Sequence, residues 1–257
     1  MKYYRPFMPK QGTNGTRSVR CCRRNTKRNY KTTTLARILH IDTATAIGSV
    51  SLSDNGKELQ TLQNMEQRDH AATITLFIQQ LLTTHDLHHS QLDAIAVSAG
   101  PGSYTGLRVG VATAKGLCYT WQKPLIAVST LQMMACGMRQ SDEDVFYVPM
   151  IDARRMEVFT AVYNHRLEPV LEPQAMVLDT DSFASFIAKK KTLFFGDGAP
   201  KWHELLGQRT NAEFPSYQIS AAHMIPLAAK AFADKDFQDV AYFSPYYIKA
   251  FFHPGKP

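Results

Sequence analysis

The eleven residues GPGSYTGLRVG, Gly100 to Gly110, carry four glycines directly after the apolar run AIAVSA and directly before a long helical pattern. A short buried strand, a glycine-rich turn and a helix make up the start of an α/β unit, and they commit the chain to a sheet covered by helices. Such a turn also suggests chemistry, because free N–H groups at a helix start can hold a phosphate. The familiar cradles need more than glycine. A P-loop requires G-x-x-x-x-G-K-[ST], whose lysine meets the outer phosphates while the hydroxyl holds magnesium. Here Leu107 and Arg108 follow Gly106, and no lysine stands in place. The dinucleotide pattern G-x-G-x-x-G fails as well, since Thr105 occupies the third glycine position. Anion binding through bare amides stays open.

The helix after the loop, Tyr104 to Trp121, carries two stripes. Leu107, Gly110, Val111, Ala114, Leu117, Cys118 and Trp121 recur at helical spacing and suit packing on the chain's own sheet. Gly106, Val109, Gly110, Thr113 and Gly116 form a second stripe of small residues. Glycine inside a helix costs about 1 kcal/mol relative to alanine, so three of them ask for a reason. Close packing within the domain is one, and the approach of another subunit's backbone is the other. The preceding helix, with its Ile74, Phe77, Ile78, Leu81 and Leu82 face and a spare Ala72 and Leu76, can share that second surface.

Two short strands open the ordered part, Ile38 to Asp42 and Gly48 to Ser53, and Asp54-Asn55-Gly56 supplies the turn to a third. LDAIAVSAG and LIAVST read as further strands, and a helix follows near Leu131 to Met138. A polar break at QSDEDVF marks a boundary around residues 140–145, after which FYVPMI and EVFTAVY form a hairpin joined by DARRM. The remainder has fewer periodic segments. No apolar run approaches the roughly 18 residues of a membrane span.

The chain of 257 residues has a net charge of +7, but the charge is unevenly placed. Residues 1–37 hold 11 of the 29 Lys and Arg and no Asp or Glu, leaving 18 basic residues against 22 acidic ones in the rest. The first 36 residues, poor in aliphatics and without an amphipathic period, read as a disordered basic tail. They lack the apolar stretch of a secretory signal. An arm that touches RNA phosphates, an organelle transit peptide and a stretch that is not translated all fit that composition. Cys21 and Cys22 in the tail, with Cys118 and Cys136 standing alone, give neither a disulfide framework nor a zinc spacing, which points to a reducing, cytoplasmic setting.

The start ILHIDTATAIGSVSL, the loop SAGPGSYTGLRVGVATAKGL, then PLIAVSTLQMMA, IDARRMEVF and the ending SPYYIK follow one another in the order and spacing of the TsaB (YeaZ) family. The chain resembles that family from about Arg37 to Lys249. The resemblance implies two tandem actin-like, RNase H-like α/β domains, the second reduced, here at about 37–140 and 141–257. It implies a cytoplasmic, non-catalytic subunit of tRNA modification that needs no cofactor. Such a subunit pairs with its paralogue TsaD, which transfers a threonylcarbamoyl group to the adenosine beside the anticodon. The TsaE ATPase joins the pair, tRNA is met through the complex, and a homodimer through the same seam is an alternative assembly. Carried onto this sequence, the seam falls on His70, Ile74 and Phe77 of the first helix. On the second it takes Gly102, Thr105, Gly106, Arg108, Val109, Gly110 and Thr113.

Two other chemistries have candidate residues. Asp42, Thr43 and Thr45 stand where actin-like ATPases hold a metal–nucleotide complex, so a vestigial nucleotide pocket is one reading and a structural turn the other. Gly196-Asp197-Gly198-Ala199 is a candidate second loop of the same pocket. His85 and His89 have the i, i+4 spacing of a metal pair, without a third ligand in place. An ATP-dependent phosphotransferase or a glycoprotease-like metallohydrolase would use one of these sets. DARRM clusters Asp152, Arg154, Arg155 and Glu157, and no catalytic role is carried onto it. Lys249 stands where relatives more often show arginine, which replaces a bidentate donor with a point charge.

Overall fold

The computed structural model describes residues 36–64, 70–139, 144–206 and 211–249, with the backbone alone at His70 and Ala71. The tail reading of residues 1–36, Ala36 aside, and most of the 140–145 boundary therefore lie outside the described residues.

The first sheet begins with three antiparallel strands, β1 (Arg37–Asp42), β2 (Gly48–Asp54) and β3 (Lys57–Asn64). Asn55 and Gly56 turn β2 into β3 at φ of 55° and 73°, the left-handed pair that an Asn-Gly hairpin turn supplies at little steric cost. Helix α1 (His70–Thr84) then leads to β4 (Ala94–Ser98), helix α2 (Tyr104–Trp121) and β5 (Leu125–Val128), with β1, β4 and β5 parallel. Helix α3 (Thr130–Met138) starts at Ser129, whose hydroxyl accepts the Gln132 N–H.

The second sheet repeats that plan. Strands β6 (Phe146–Asp152), β7 (Glu157–Tyr163) and β8 (Pro169–Val177) are antiparallel, and β9 (Thr192–Phe195) and β10 (Ala212–Glu213) add parallel strands beyond β6. The two orders, β3-β2-β1-β4-β5 and β8-β7-β6-β9-β10, correspond strand for strand. The helices differ most. Where the first sheet has α1 of 15 residues and α2 of 18, the second has α4 (Ala184–Ile187) and α5 (Ala199–Leu206). A short 3-10 turn, Ala221–Met224, and helix α6 (Ile225–Asp234) follow the second sheet.

Side-chain alternation along the strands divides the interior into three layers. Leu39, Ile41, Ile95 and Val97 point one way and pack under Ile74, Leu81, Val111 and Ala114 of α1 and α2. Phe146, Val148, Met150 and Phe194 of the second sheet meet Phe183, Trp202 and Leu206 around α4 and α5. Between the sheets lies the largest core. It joins Ile38, Ala96 and Ile126 to Tyr147, Ile151 and Phe195 through Met133 and Met134 of α3 and Met224 of the 3-10 turn.

Candidate functional site

Two surfaces meet at the start of α2, and the chain that joins β1 to β2 explains the glycines between them. Residues 43–47 pass so close to the helix that a Cβ at Gly106 would stand 2.1 Å from the Thr43 carbonyl oxygen. At Gly110 it would stand 2.2 Å from the Thr43 hydroxyl, and at Gly102 2.3 Å from the Ala44 carbonyl. The approach is fastened by hydrogen bonds. Thr43 Oγ1 donates to the Gly106 carbonyl at 2.7 Å, the Ser103 N–H donates to the Ala44 carbonyl at 2.7 Å, and Ser103 Oγ accepts the Gly106 N–H at 3.2 Å. The cap amide of Ser103 and the first-turn amide of Gly106 are thus spent on their own chain.

Asp42 sits beneath this clamp, fully buried, where β1 ends. One carboxylate oxygen accepts the Ala44 N–H at 3.1 Å, and the other has no hydrogen-bond partner. Burial raises its pKa to about 6, against opposing hydrogen bonds from Ser98 and from the Ala44 and Thr43 amides. Thr43 is also fully buried, and the partly buried Thr45 spends its hydroxyl on the Ile47 N–H at 3.3 Å. These three residues form a closed turn that leaves one buried oxygen of Asp42 without a partner. The second candidate loop serves its own sheet: Asp197 Oδ1 accepts the Asp152 N–H at 2.9 Å, and a Cβ at Gly198 would crowd Val158.

Of the residues assigned to a seam, the structure turns three inward. Ile74 is fully buried under the first sheet, and Gly106 and Gly110 face Thr43, so none of these three reaches an outer surface. For these two glycines of the second stripe the neighbour is the β1–β2 turn, the close packing within the domain that is one of its two readings, while Val109 and Thr113 stay partly exposed and Gly116 meets nothing. Phe77 is partly buried beside the same core. Thr105 and Arg108 are exposed, Gly102, Val109 and Thr113 are partly so, and the His70 side chain lies outside the described residues.

The outward lane of α2 runs instead through Thr105, Arg108, Ala112, Gly116 and Tyr119. Nothing lies within 4 Å of a Cβ built at Gly116, and Tyr119 is 76% exposed. The neighbouring α1, packed beside α2, adds exposed Ala72 and Leu76, the latter 61% exposed. Sequence reading missed Ala112 and Tyr119, although they lie at i+4 and i+11 from Arg108. Arg108 is held over the Tyr104 ring at 4.3 Å, and the Tyr104 ring lies tilted against Tyr247 of the C-terminal segment with centroids 4.9 Å apart.

The histidine pair does not converge. His85 Nε2 meets Gln60 Oε1 at 3.1 Å, whereas His89 stacks on Trp121 with ring centroids 5.2 Å apart. Among the described residues no three His, Cys, Asp or Glu side chains gather as metal ligands would. At the DARRM turn, Lys201 donates to Asp152 Oδ1 and to the Arg155 and Glu157 carbonyls at 2.7–2.8 Å, and Lys249 pairs with Glu157. His223, hydrogen-bonded to Tyr217 at 2.9 Å, closes over Gly137, a contact that no periodicity in FPSYQIS announces.

Comparison with known proteins agrees with this architecture. A family model described as TsaD, tRNA N6-adenosine threonylcarbamoyltransferase, matches residues 63–248. The tRNA threonylcarbamoyladenosine biosynthesis protein TsaB of Escherichia coli (strain K12) is 30% identical over 225 residues, 83% of this chain and 94% of that protein. The protein of the same name from Bacillus subtilis (strain 168) is 33% identical over 144 residues, 55% of this chain and 62% of its own length. YeaZ from Pseudomonas aeruginosa superposes with a TM-score of 0.71 at 26% identity, covering 83% of this chain and all of that one. A second Pseudomonas aeruginosa structure, described as similar to the peptidase YeaZ, gives 0.73 at 28% identity over 84% of this chain and 100% of its own. With nearly the whole length of the Escherichia coli protein matched at that identity, and the fold matched to YeaZ, the chain belongs to the TsaB (YeaZ) family.

Proposed function

We propose that the chain is the partner subunit of a tRNA threonylcarbamoyladenosine machinery, pairing with the paralogue TsaD and leaving the transfer chemistry to it. The carrying observation is the outward lane of α1 and α2. Ala72, Leu76, Ala112 and Gly116 present small and apolar groups on two helices whose opposite faces already fill the core. A lane with no side chain at Gly116 lets a second helix pair approach closely, as a four-helix seam requires. Thr105 and Arg108 continue it and Val109 and Thr113 flank it, with Phe77 and His70 on the neighbouring helix. The same lane can accept a second copy of this chain when TsaD is absent. TsaE joins the completed pair, tRNA is met through it, and the work is done in the cytoplasm. The duplicated strand order reads as two tandem actin-like domains, the second reduced in its helices, with divisions near 37–140 and 141–257.

Asp42 favours a structural over an ATP-binding role here, because it is fully buried beneath a turn whose residues 43 and 44 are clamped against the α2 glycines. Co-expression with TsaD followed by size-exclusion light scattering tests the reading. A one-to-one complex is expected, and the exposed Ala112→Glu should weaken it by more than about tenfold, ~1.4 kcal/mol. A chain that ignores TsaD would overturn the subunit role, and unchanged pairing of Ala112→Glu would overturn the lane.

A further inference from the structure

Among the described residues, the turn between β6 and β7 alone sets two successive non-glycine residues in left-handed backbone. Arg154 and Arg155 occupy left-handed backbone at φ of 70° and 49° in succession. Glycine, asparagine and aspartate populate that region readily, while long side chains are held there only when their surroundings impose it. The surroundings do so. Asp152 Oδ1 accepts the Arg154 N–H at 2.6 Å, the Ala153 N–H donates to the Glu157 carbonyl at 3.1 Å, and Lys201 caps the Arg155 and Glu157 carbonyls. A strained turn kept rigid by a partly buried lysine points to a role for the side chains it displays.

Those side chains are two exposed guanidinium groups. Every carboxylate beside them is already engaged: Asp152 with Lys201, Glu157 with Lys249, and Asp197 with the Asp152 N–H. Neither arginine side chain has a hydrogen bond or ion pair to another described residue. Two uncompensated guanidinium forks on adjacent, fixed positions suit oxygen anions in a row, each fork taking one bidentately. The apolar groups nearby are Met156 and Val177, well short of the apolar centre that a protein interface of ordinary size needs. A nucleic-acid backbone needs no such centre.

We propose that the Arg154–Arg155 turn is a docking point for backbone phosphates of RNA, fixing the register of the tRNA against this subunit. It rests on the tRNA-modification role proposed above. The test uses the full chain paired with TsaD and an unmodified tRNA transcript with adenosine beside the anticodon, titrated by fluorescence anisotropy at several salt concentrations. The decisive variant is Arg154→Asn with Arg155→Gly, which suits the left-handed backbone better than the native pair and removes both charges. Its urea midpoint should equal or exceed that of the native chain while its tRNA affinity falls. The slope of log K against log salt should shrink by about 0.7–0.9 for each phosphate that the variant no longer neutralises. The double lysine variant, Arg154→Lys with Arg155→Lys, should retain most of that slope. Unchanged affinity and slope in the Asn-Gly variant would overturn the proposal, as would loss of TsaD pairing, which would give the arginines to a protein surface. Should the native chain fail to pair with TsaD, the subunit role alone falls, and the same titration on the chain by itself decides the turn.

Discussion

A methyl group added at Gly106 would meet the Thr43 carbonyl at 2.1 Å, and one at Gly110 the Thr43 hydroxyl at 2.2 Å, while at Gly116 it would meet nothing. These three glycines share a helix and nothing else. Gly106→Ala should lower stability by about 1–3 kcal/mol, the usual cost of overpacking against backbone that cannot retreat. Gly116→Ala should raise it by about 0.5–1 kcal/mol through helix propensity, and both are read as shifts of the urea midpoint. A stabilised Gly106→Ala would mean that residues 43–44 do not lie on α2. Charge at single residues is testable too. Burial raises the folded-state pKa of Asp42 to about 6 and lowers that of His40 to about 3. The folded state holds the Asp42 proton more tightly, so that contribution is full below pH ~4 and is lost as pH rises through ~6, on the order of 3 kcal/mol in all. His40 acts oppositely, since its neutral ring is fully tolerated above pH ~6.5 and stability is lost as pH falls towards 3. Between pH 4 and 6 the two slopes offset each other. Asp42→Asn removes one of them, so stability should climb more steeply with pH across that window than in the native chain. The slope is the readout, because the new amide NH₂ gains no acceptor in place of the orphan oxygen. Parallel profiles would show that Asp42 does not titrate there.

Among the elements, those with a local signature were legible and those built by distant partners were not. The Asn55-Gly56 turn, the core-facing side of α2 and the β6–β7 hairpin follow from spacing and turn chemistry, and the structure places them where that chemistry puts them. Strand β8 begins at Pro169, carries Pro173 and is mostly half-exposed at a sheet edge, so neither alternation nor β-propensity marks it. Strands β9 and β10, of four and two residues, are too short for a period to show. The second α2 stripe was legible as a stripe, but the partner of Gly106 and Gly110, Thr43, lies 63 residues from Gly106 in sequence and no spacing names it. Residues 238–249 show the same limit: irregular in sequence, they are tied to the first sheet by a bridge between Gln238 and Leu125 and by the Tyr246 N–H on the Ala99 carbonyl. Lys115 of α2 also donates to the Ala241 and Phe243 carbonyls at 3.2 and 2.8 Å. Lys115→Met keeps the alkyl stem and removes those two bonds, which together contribute about 1–3 kcal/mol. Amide exchange should then quicken across residues 239–246 and stay unchanged in α2. Equal quickening in both would mean that the segment and the helix open as one unit.

At the scale of the molecule, duplicated strand order and shared core pull in different directions. Correspondence of the two sheets suggests two units that could fold separately, yet the residues between them form one continuous cluster. Ile38, Ala96 and Ile126 of the first sheet and Tyr147, Ile151 and Phe195 of the second are buried by the same α3 methionines. The 3-10 turn at 221–224 reaches β2 through the Ala221 N–H on Ser49 Oγ at 2.8 Å, from 172 residues away. Cutting the chain near residue 140 would strip Met224 and Ala228 from that core along with the second sheet's Tyr147 and Phe195, and bare the apolar inner face of the first sheet. Burial on that scale dominates folding free energy, so the two halves should unfold together. The two tryptophans make this measurable, for Trp121 lies against the α1–α2 core and Trp202 is fully buried against Phe194. Trp202→Phe leaves a fluorescence probe in the first half and Trp121→Phe leaves one in the second. Each variant should show a single urea transition whose fluorescence midpoint coincides with its own far-UV circular dichroism midpoint. A variant in which the tryptophan signal moves apart from the dichroism would mean that the inter-sheet layer opens before either sheet melts, and that the duplicated halves keep separate stabilities.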